Sequence, residues 1–307
     1  MSVKVEAAPI LETALPDQSR RLKIGLALFS LYIIWGSTYL ALRIGVESFP
    51  PFMMTGVRFL IAGVILFAFQ WMRGDTLPTG VQWRNASVIG AMMLGVGTGG
   101  VTFAEQWVAS GLAATAVAAV PVWAALFGGL WGRWPTRWEW AGLILGLVGV
   151  TLLNTESGMQ ANQLGAIALI LGPMSWAFAS IWSRRLNLPD GLMATAVEMI
   201  GGGAFLMVLS VIVRENLDKA PSTESVLAVV YLITFGALIA FSAYMYLLKE
   251  VRPAVATSYA YVNPIVAVFL GIVFANEEIT LTGKIALVVI LAGVALLTFG
   301  GGKKKAA

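Results

Sequence analysis

The chain has 307 residues, 58% of them hydrophobic and only 12% charged, with a mean hydropathy of +0.83. Soluble domains carry roughly 25% charged residues, so the composition is that of an integral membrane protein. A net charge of +4 is read as basic cytoplasmic loops rather than as a nucleic-acid surface. The absence of any cysteine or histidine excludes disulfides, Cys/His zinc sites, thiol nucleophiles and histidine bases.

Residues 1–21 are polar and of mixed charge, and read as a cytoplasmic tail rather than a cleaved signal peptide. Ten continuous apolar runs follow, near 24–44, 51–72, 86–106, 112–131, 138–154, 163–183, 191–213, 226–248, 254–275 and 282–300. Continuous rather than alternating apolar residues predict helices, so the expected fold is all-α and polytopic. The breaks carry turn signals, among them Pro50-Pro51, Trp134-Pro135 and Pro189-Asp190-Gly191. With the N-terminus inside, 15 of the 20 basic residues fall on one side, including Lys303 to Lys305 in the tail 301–307. That count puts both termini in the cytoplasm and requires an even number of spans.

The first run contains Trp35-Gly36-Ser37-Thr38-Tyr39, followed by Arg43. Trp176, followed by Ser180 and Arg184, recurs 141 residues later. Thr55 to Arg58 aligns with Thr195 to Glu198, Pro121 with Pro264, and Gly149-Val150 with Gly293-Val294, at offsets that grow slowly from 140 to 144. The chain therefore divides into a first repeat, 22–155, and a second, 162–300, each of five spans. An odd number turns the second repeat upside down, an arrangement typical of secondary transporters whose substrate site lies at the midplane.

These residues carry a resemblance. Trp35 to Tyr39, Asn263-Pro264, and Asn276 to Gly283 leading into Gly293-Val294 resemble the motifs of the drug/metabolite transporter superfamily, with two EamA-type repeats. Within it the chain is most similar to YddG-type exporters of aromatic amino acids. The resemblance implies ten transmembrane helices in two inverted repeats, export from the cell, and residence in the inner membrane as a multi-pass protein. It implies no cofactor and no catalysis.

Trp35, Thr38, Tyr39 and Leu42 share one helical face. Trp35 and Trp176 lie near mid-span, too deep for an interfacial aromatic belt. With Thr38, Tyr39, Phe103, Ser180, Tyr244, Tyr259, Tyr261 and Asn263 these two tryptophans form the candidate substrate-binding set. They either line a cavity or hydrogen-bond between helices as packing. Gly99, Gly100, Pro121 and Pro264 are candidate hinges, since proline frees a backbone carbonyl and glycines permit close packing or a gate. The embedded charges are Arg43, Arg58, Glu105 and Glu198. Inversion separates Arg58 from Glu198 in depth and makes Glu105 the expected partner of Arg58. So few embedded acids suggest facilitated transport or exchange rather than tight proton coupling.

The expected cargo is a small metabolite, an aromatic or hydrophobic amino acid, moved across the lipid bilayer by a protein that acts as a monomer and binds no nucleic acid. A nucleotide-sugar or triose-phosphate exchanger is the alternative within the class, though a phosphate calls for clustered basic residues. An ion channel is the alternative outside it, though no ring of acids or carbonyl-filter motif is visible.

Overall fold

The computed structural model describes residues 17–107, 113, 116–154, 163–217, 220–275 and 281–299. Among the described residues all regular structure is helical. Six helices are long and apolar enough to cross a membrane: Gln18–Val46, Pro51–Met72, Gly80–Ala104, Gln163–Arg185, Gly191–Ile212 and Thr223–Glu250. Val120–Leu130 and Leu281–Leu297 are shorter apolar helices, and Arg137–Asn154 and Tyr259–Ala275 are also helical. The tails 1–16 and 300–307 and the loop motif Asn276 to Thr280 lie outside the described residues.

In chain order the α-helices are α1 (Asp17–Ser30), α2 (Gly36–Val46), α3 (Pro51–Met72), α4 (Gly80–Gly90), α5 (Gly99–Ala104), α6 (Val120–Leu130) and α7 (Arg137–Asn154). They continue as α8 (Gln163–Trp182), α9 (Gly191–Ile212), α10 (Thr223–Tyr231), α11 (Ser242–Glu250), α12 (Pro253–Ala256), α13 (Tyr259–Ala275) and α14 (Leu281–Phe299). Three junctions do not break the helix but widen it. Leu31–Trp35, Ala91–Thr98 and Leu232–Phe241 are π-helical, so three of the six long spans change their winding part-way along. A wider turn aims its side chains differently and weakens the carbonyl ladder, which is why such segments gather at functional sites.

Helix α3 packs along α9 and α7 along α14, in each case through glycine. A Cβ on Gly203 would lie 2.9 Å from the Gly56 carbonyl oxygen, and one on Gly142 would lie 2.7 Å from that of Gly293. Lipid offers no hydrophobic drive for helix association, so small residues that bring backbones together carry these interfaces. The opposite faces are apolar and exposed: Leu22, Leu26, Phe29, Ile33 and Leu40 form such a stripe on the first span.

Polar contacts tie the loops into two separate ends. At one, Arg20 pairs with Glu250 at 2.8 Å, Arg184 donates to the Val251 carbonyl at 2.9 Å, and Asn85 donates to the Asn187 carbonyl at 3.0 Å. At the other, the Glu215 carboxylate accepts the Phe52 and Met53 amides that open α3, and Ser225 donates to the Ile44 carbonyl at 2.7 Å. The first end gathers many of the basic residues that the charge count places together.

That end also holds a cap the sequence reading passes over. Thr136 precedes α7, and the Glu139 carboxylate accepts the Thr136 amide at 2.7 Å while pairing with Arg252 at 2.8 Å. Glu139 is almost wholly buried and Arg252 is not. Glu139→Ala is expected to lower unfolding free energy by about 2 kcal/mol, through the lost charged hydrogen bond and the orphaned amide. Thermal melting of the detergent-solubilised protein checks this, and an unchanged melting curve contradicts it.

Candidate functional site: a ring-lined cavity between the two halves

Four walls of the cavity carry helical irregularities, and α3, α6 and α13 complete the lining with Arg58, Val120, Tyr259 and Asn263. Trp35 ends the first π segment, Leu94, Gly97 and Thr98 belong to the second, and Gly236 and Phe241 to the third. The fourth wall is α8 at Pro173, which has Gly172 before it and Trp176 one turn later. Irregular backbone is tolerated at membrane depth where it lines a cavity or finds substitute partners. Both apply here. The Trp35 indole N–H donates to the Gly236 carbonyl at 3.1 Å and the Ser175 hydroxyl to the Met92 carbonyl at 2.9 Å, each a carbonyl of a widened turn.

The cavity holds about 730 Å³ of empty space, the open solvent of its mouth included. Its aromatic floor is compact. Trp35 meets Tyr259 at 4.6 Å between ring centroids, Tyr244 at 5.3 Å and Trp176 at 5.6 Å, mostly edge to face. Beneath the floor a polar chain locks the second layer. The Trp176 indole donates to the Tyr244 hydroxyl at 3.1 Å, that hydroxyl meets Ser180 at 2.8 Å, and Ser180 donates to the Trp176 carbonyl at 2.7 Å. One layer further, the Tyr32 and Ser258 hydroxyls meet at 2.7 Å.

Seven residues singled out from the sequence line this cavity: Trp35, Thr38, Tyr39, Arg58, Trp176, Tyr259 and Asn263. Tyr244 and Ser180 lie behind the rings rather than on the lining. Tyr261 faces away, into a separate apolar cluster, and donates its hydroxyl to the Leu143 carbonyl at 3.1 Å. Phe103 stacks on Phe52 at 5.1 Å and meets Trp107 edge-on at 4.8 Å, again off the lining.

The candidate hinges separate by local geometry. Pro121 stands in the first turn of α6, where a missing N–H costs nothing, so it starts a helix instead of kinking one. Pro264 lies inside α13. Gly99 packs against Leu206, and Gly100 lies over the Ala168 carbonyl, so both sit at close helix contacts.

The embedded charges take different environments. Arg43 is exposed in the last turn of α2. Arg58 is 4% exposed and faces the cavity. Both carboxylate oxygens of Glu105 lack a hydrogen-bond partner, and no ion pair joins Glu105 to Arg58 among the described residues. Glu198 is wholly buried, and its carboxylate too is unpartnered. Among the described residues, no group of three or more metal-ligating side chains converges.

A helical bundle of membrane spans around a cavity fed by both halves of the chain is the architecture of a membrane transporter, and the chain belongs to the EamA-like transporter family, whose model matches residues 22–155 and 163–299. It is 50% identical over 275 residues to the uncharacterized inner membrane transporter YedA of Escherichia coli strain K12, covering 89% of this chain and 90% of that one. It is 23% identical over 293 residues to the uncharacterized transporter YoaV of Bacillus subtilis, covering 92% of this chain and 99% of that one. It is 25% identical over 288 residues to a WAT1-related chloroplastic protein of Arabidopsis thaliana, covering 90% of this chain and 69% of that one. A solved crystal structure matches with a TM-score of 0.74 at 22% identity, over 90% of this chain and 96% of that one, a likeness of fold. None of the three relatives' names specifies a substrate.

Proposed function

We propose that this protein is an alternating-access carrier that exports aromatic and hydrophobic amino acids, by facilitated transport or exchange. The carrying observation is the cavity itself, which rings from both halves of the chain line together. Indole and phenol rings offer stacking and edge contacts to an apolar side chain. Dispersed hydroxyl and amide groups suit a zwitterionic head better than a phosphate, because Arg58 is the one basic residue among the described residues of the lining.

Ten spans in two inverted repeats, with both termini cytoplasmic, complete this reading. Helices at equivalent places in the two repeats pack together, α3 with α9 and α7 with α14, which supports a two-fold relation between the repeats. The π segments Ala91–Thr98 and Leu232–Phe241 fall at equivalent places along the two repeats, 141 residues apart at their starts. Each is preceded by a capped helix start, Thr79 in one repeat and Ser222 in the other.

Counterflow in proteoliposomes tests the function. Labelled phenylalanine or leucine is expected to exchange against unlabelled internal amino acid, saturably and without an imposed ion gradient, while sugar phosphates do not compete. Saturable sugar-phosphate exchange without amino acid exchange, or a non-saturating ion current, is the result that rejects it.

A further inference from the structure

Two buried polar side chains on the cavity lining each leave a polar atom unmet. Arg58, on α3, lines the cavity at 4% exposure, and its Nε lacks a hydrogen-bond partner. No hydrogen bond or ion pair engages it among the described residues. The Phe59 ring lies beside it, 4.6 Å from the guanidinium carbon to the centroid. Asn263, on α13, lines the same cavity at 2% exposure, and its Oδ1 is also unpartnered. A buried donor and a buried acceptor are each costly when unmet. An unpaired arginine inside a membrane span costs several kcal/mol and marks a functional site by default.

Glu105 makes no ion pair with Arg58 among the described residues, and its own carboxylate is unpartnered and off the cavity lining. The Asn263 side chain interacts with the neighbouring Tyr39 hydroxyl, which leaves its Oδ1 unmet. The lining thus carries a guanidinium on α3, an amide on α13, and the Trp35 and Tyr259 rings as an apolar bed. The guanidinium fork matches a carboxylate in two parallel N–H···O bonds. An amide oxygen accepts from an ammonium.

Resting on the carrier reading above, we propose that Arg58 is the carboxylate anchor of the cavity and Asn263 the acceptor for the substrate's ammonium, so that the site selects free α-amino acids and rejects amines of the same side chain. The site recognises both ends of the head group at once. A decarboxylated analogue leaves Arg58 buried and unmet, which is the strong form of discrimination, because the penalty falls on the protein as well as on the ligand. A deaminated analogue keeps the anchor and loses only a neutral acceptor, so it binds less weakly than the amine.

The test uses a matched series on the full-length protein: phenylalanine, 2-phenylethylamine and 3-phenylpropanoate, with binding read as intrinsic tryptophan fluorescence and movement read as counterflow in proteoliposomes. Wild type is expected to bind phenylalanine roughly 30-fold more tightly than the amine, the worth of one charge-assisted bidentate pair, with the acid between them. Arg58→Gln should bring phenylalanine and the amine to within about 3-fold of each other, and Arg58→Lys, which keeps the charge but not the fork, should fall between. Asn263→Asp should raise amine affinity at least several-fold; this arm stands even where an Arg58 variant does not fold. Wild type that binds all three alike, or none of them, overturns the anchor. So does a folded Arg58→Gln that keeps the wild-type ratio, and in that case continued amino acid exchange upholds the carrier. Discrimination in binding with no exchange of any compound rejects the carrier reading and keeps the site.

Discussion

Trp35→Ala is expected to lower counterflow of aromatic amino acids about tenfold or more while the protein still inserts and purifies as wild type. The ring is only half-buried, so its exposed part faces the cavity, and its other faces contact Tyr259, Tyr244 and Trp176. A stacked or edge-on aromatic contact to substrate is worth about 0.5–1.5 kcal/mol beyond the area it buries. Burial of apolar area adds about 25 cal/mol per Å². Together these exceed the 1.4 kcal/mol that corresponds to a tenfold change. Alanine also removes the indole N–H from the Gly236 carbonyl, which belongs to a π segment and loses its side-chain donor.

The comparison with Trp176→Ala separates substrate contact from packing. Trp176 is 8% exposed and anchors the Tyr244–Ser180 chain, so its truncation should cost stability as well, on the order of 3–5 kcal/mol. Trp35→Phe keeps a ring and loses the hydrogen bond, and is expected to retain most transport. Full transport by Trp35→Ala at wild-type melting temperature would reduce that tryptophan to a packing residue.

Much of the frame was legible because membrane spans are a low-order signal. Apolar runs such as 51–72 and 191–213 correspond closely to α3 and α9, since lipid leaves a backbone no alternative to the helix. The Trp35 and Trp176 recurrence led to the cavity floor because a mid-span indole needs both apolar cover and a partner for its N–H. What could not be read was winding. The three π segments contain no proline, and their sequences, such as Leu232 to Phe241, look like ordinary helix; the donors to two of them, Trp35 and Ser175, come from distant parts of the chain. The tyrosines show the same limit. Tyr259 and Tyr261 are two residues apart, so a helix points them in different directions, one to the cavity and one to Leu143. Composition could say that each hydroxyl needs a partner, but not which helix supplies it. Local geometry places two others where the pattern could not: Phe103 stacks with Phe52 and Pro121 stands at a helix start.

Gly90→Leu should abolish a folded protein, the largest stability effect expected of any single change here. Helices α4 and α9 touch backbone to backbone at this point. A Cβ on Gly90 would overlap the Glu198 carbonyl group, and the reciprocal Cβ on Gly202 would lie 2.6 Å from the Gly90 carbonyl oxygen. Neither obstacle is a flexible side chain that can swing aside, so the helices themselves must separate. Separation would strip contacts along both helices and expose the unpartnered Glu198 carboxyl, against a total stability of about 5–15 kcal/mol. Gly90 also sits directly before the π segment Ala91–Thr98, so even Gly90→Ala, which asks for a smaller shift, should displace Gly97 and Thr98 from the cavity wall and slow transport. Gly25 is the control. It lies in α1 with nothing within 4 Å of its added Cβ, and Gly25→Ala should be neutral or stabilising by up to about 1 kcal/mol through helix propensity. Size-exclusion profiles and melting curves of the three variants decide the matter. A monodisperse Gly90→Leu that melts with wild type would mean that α4 and α9 are not in backbone contact in the membrane, and that the cavity wall they hold in place is set by something else.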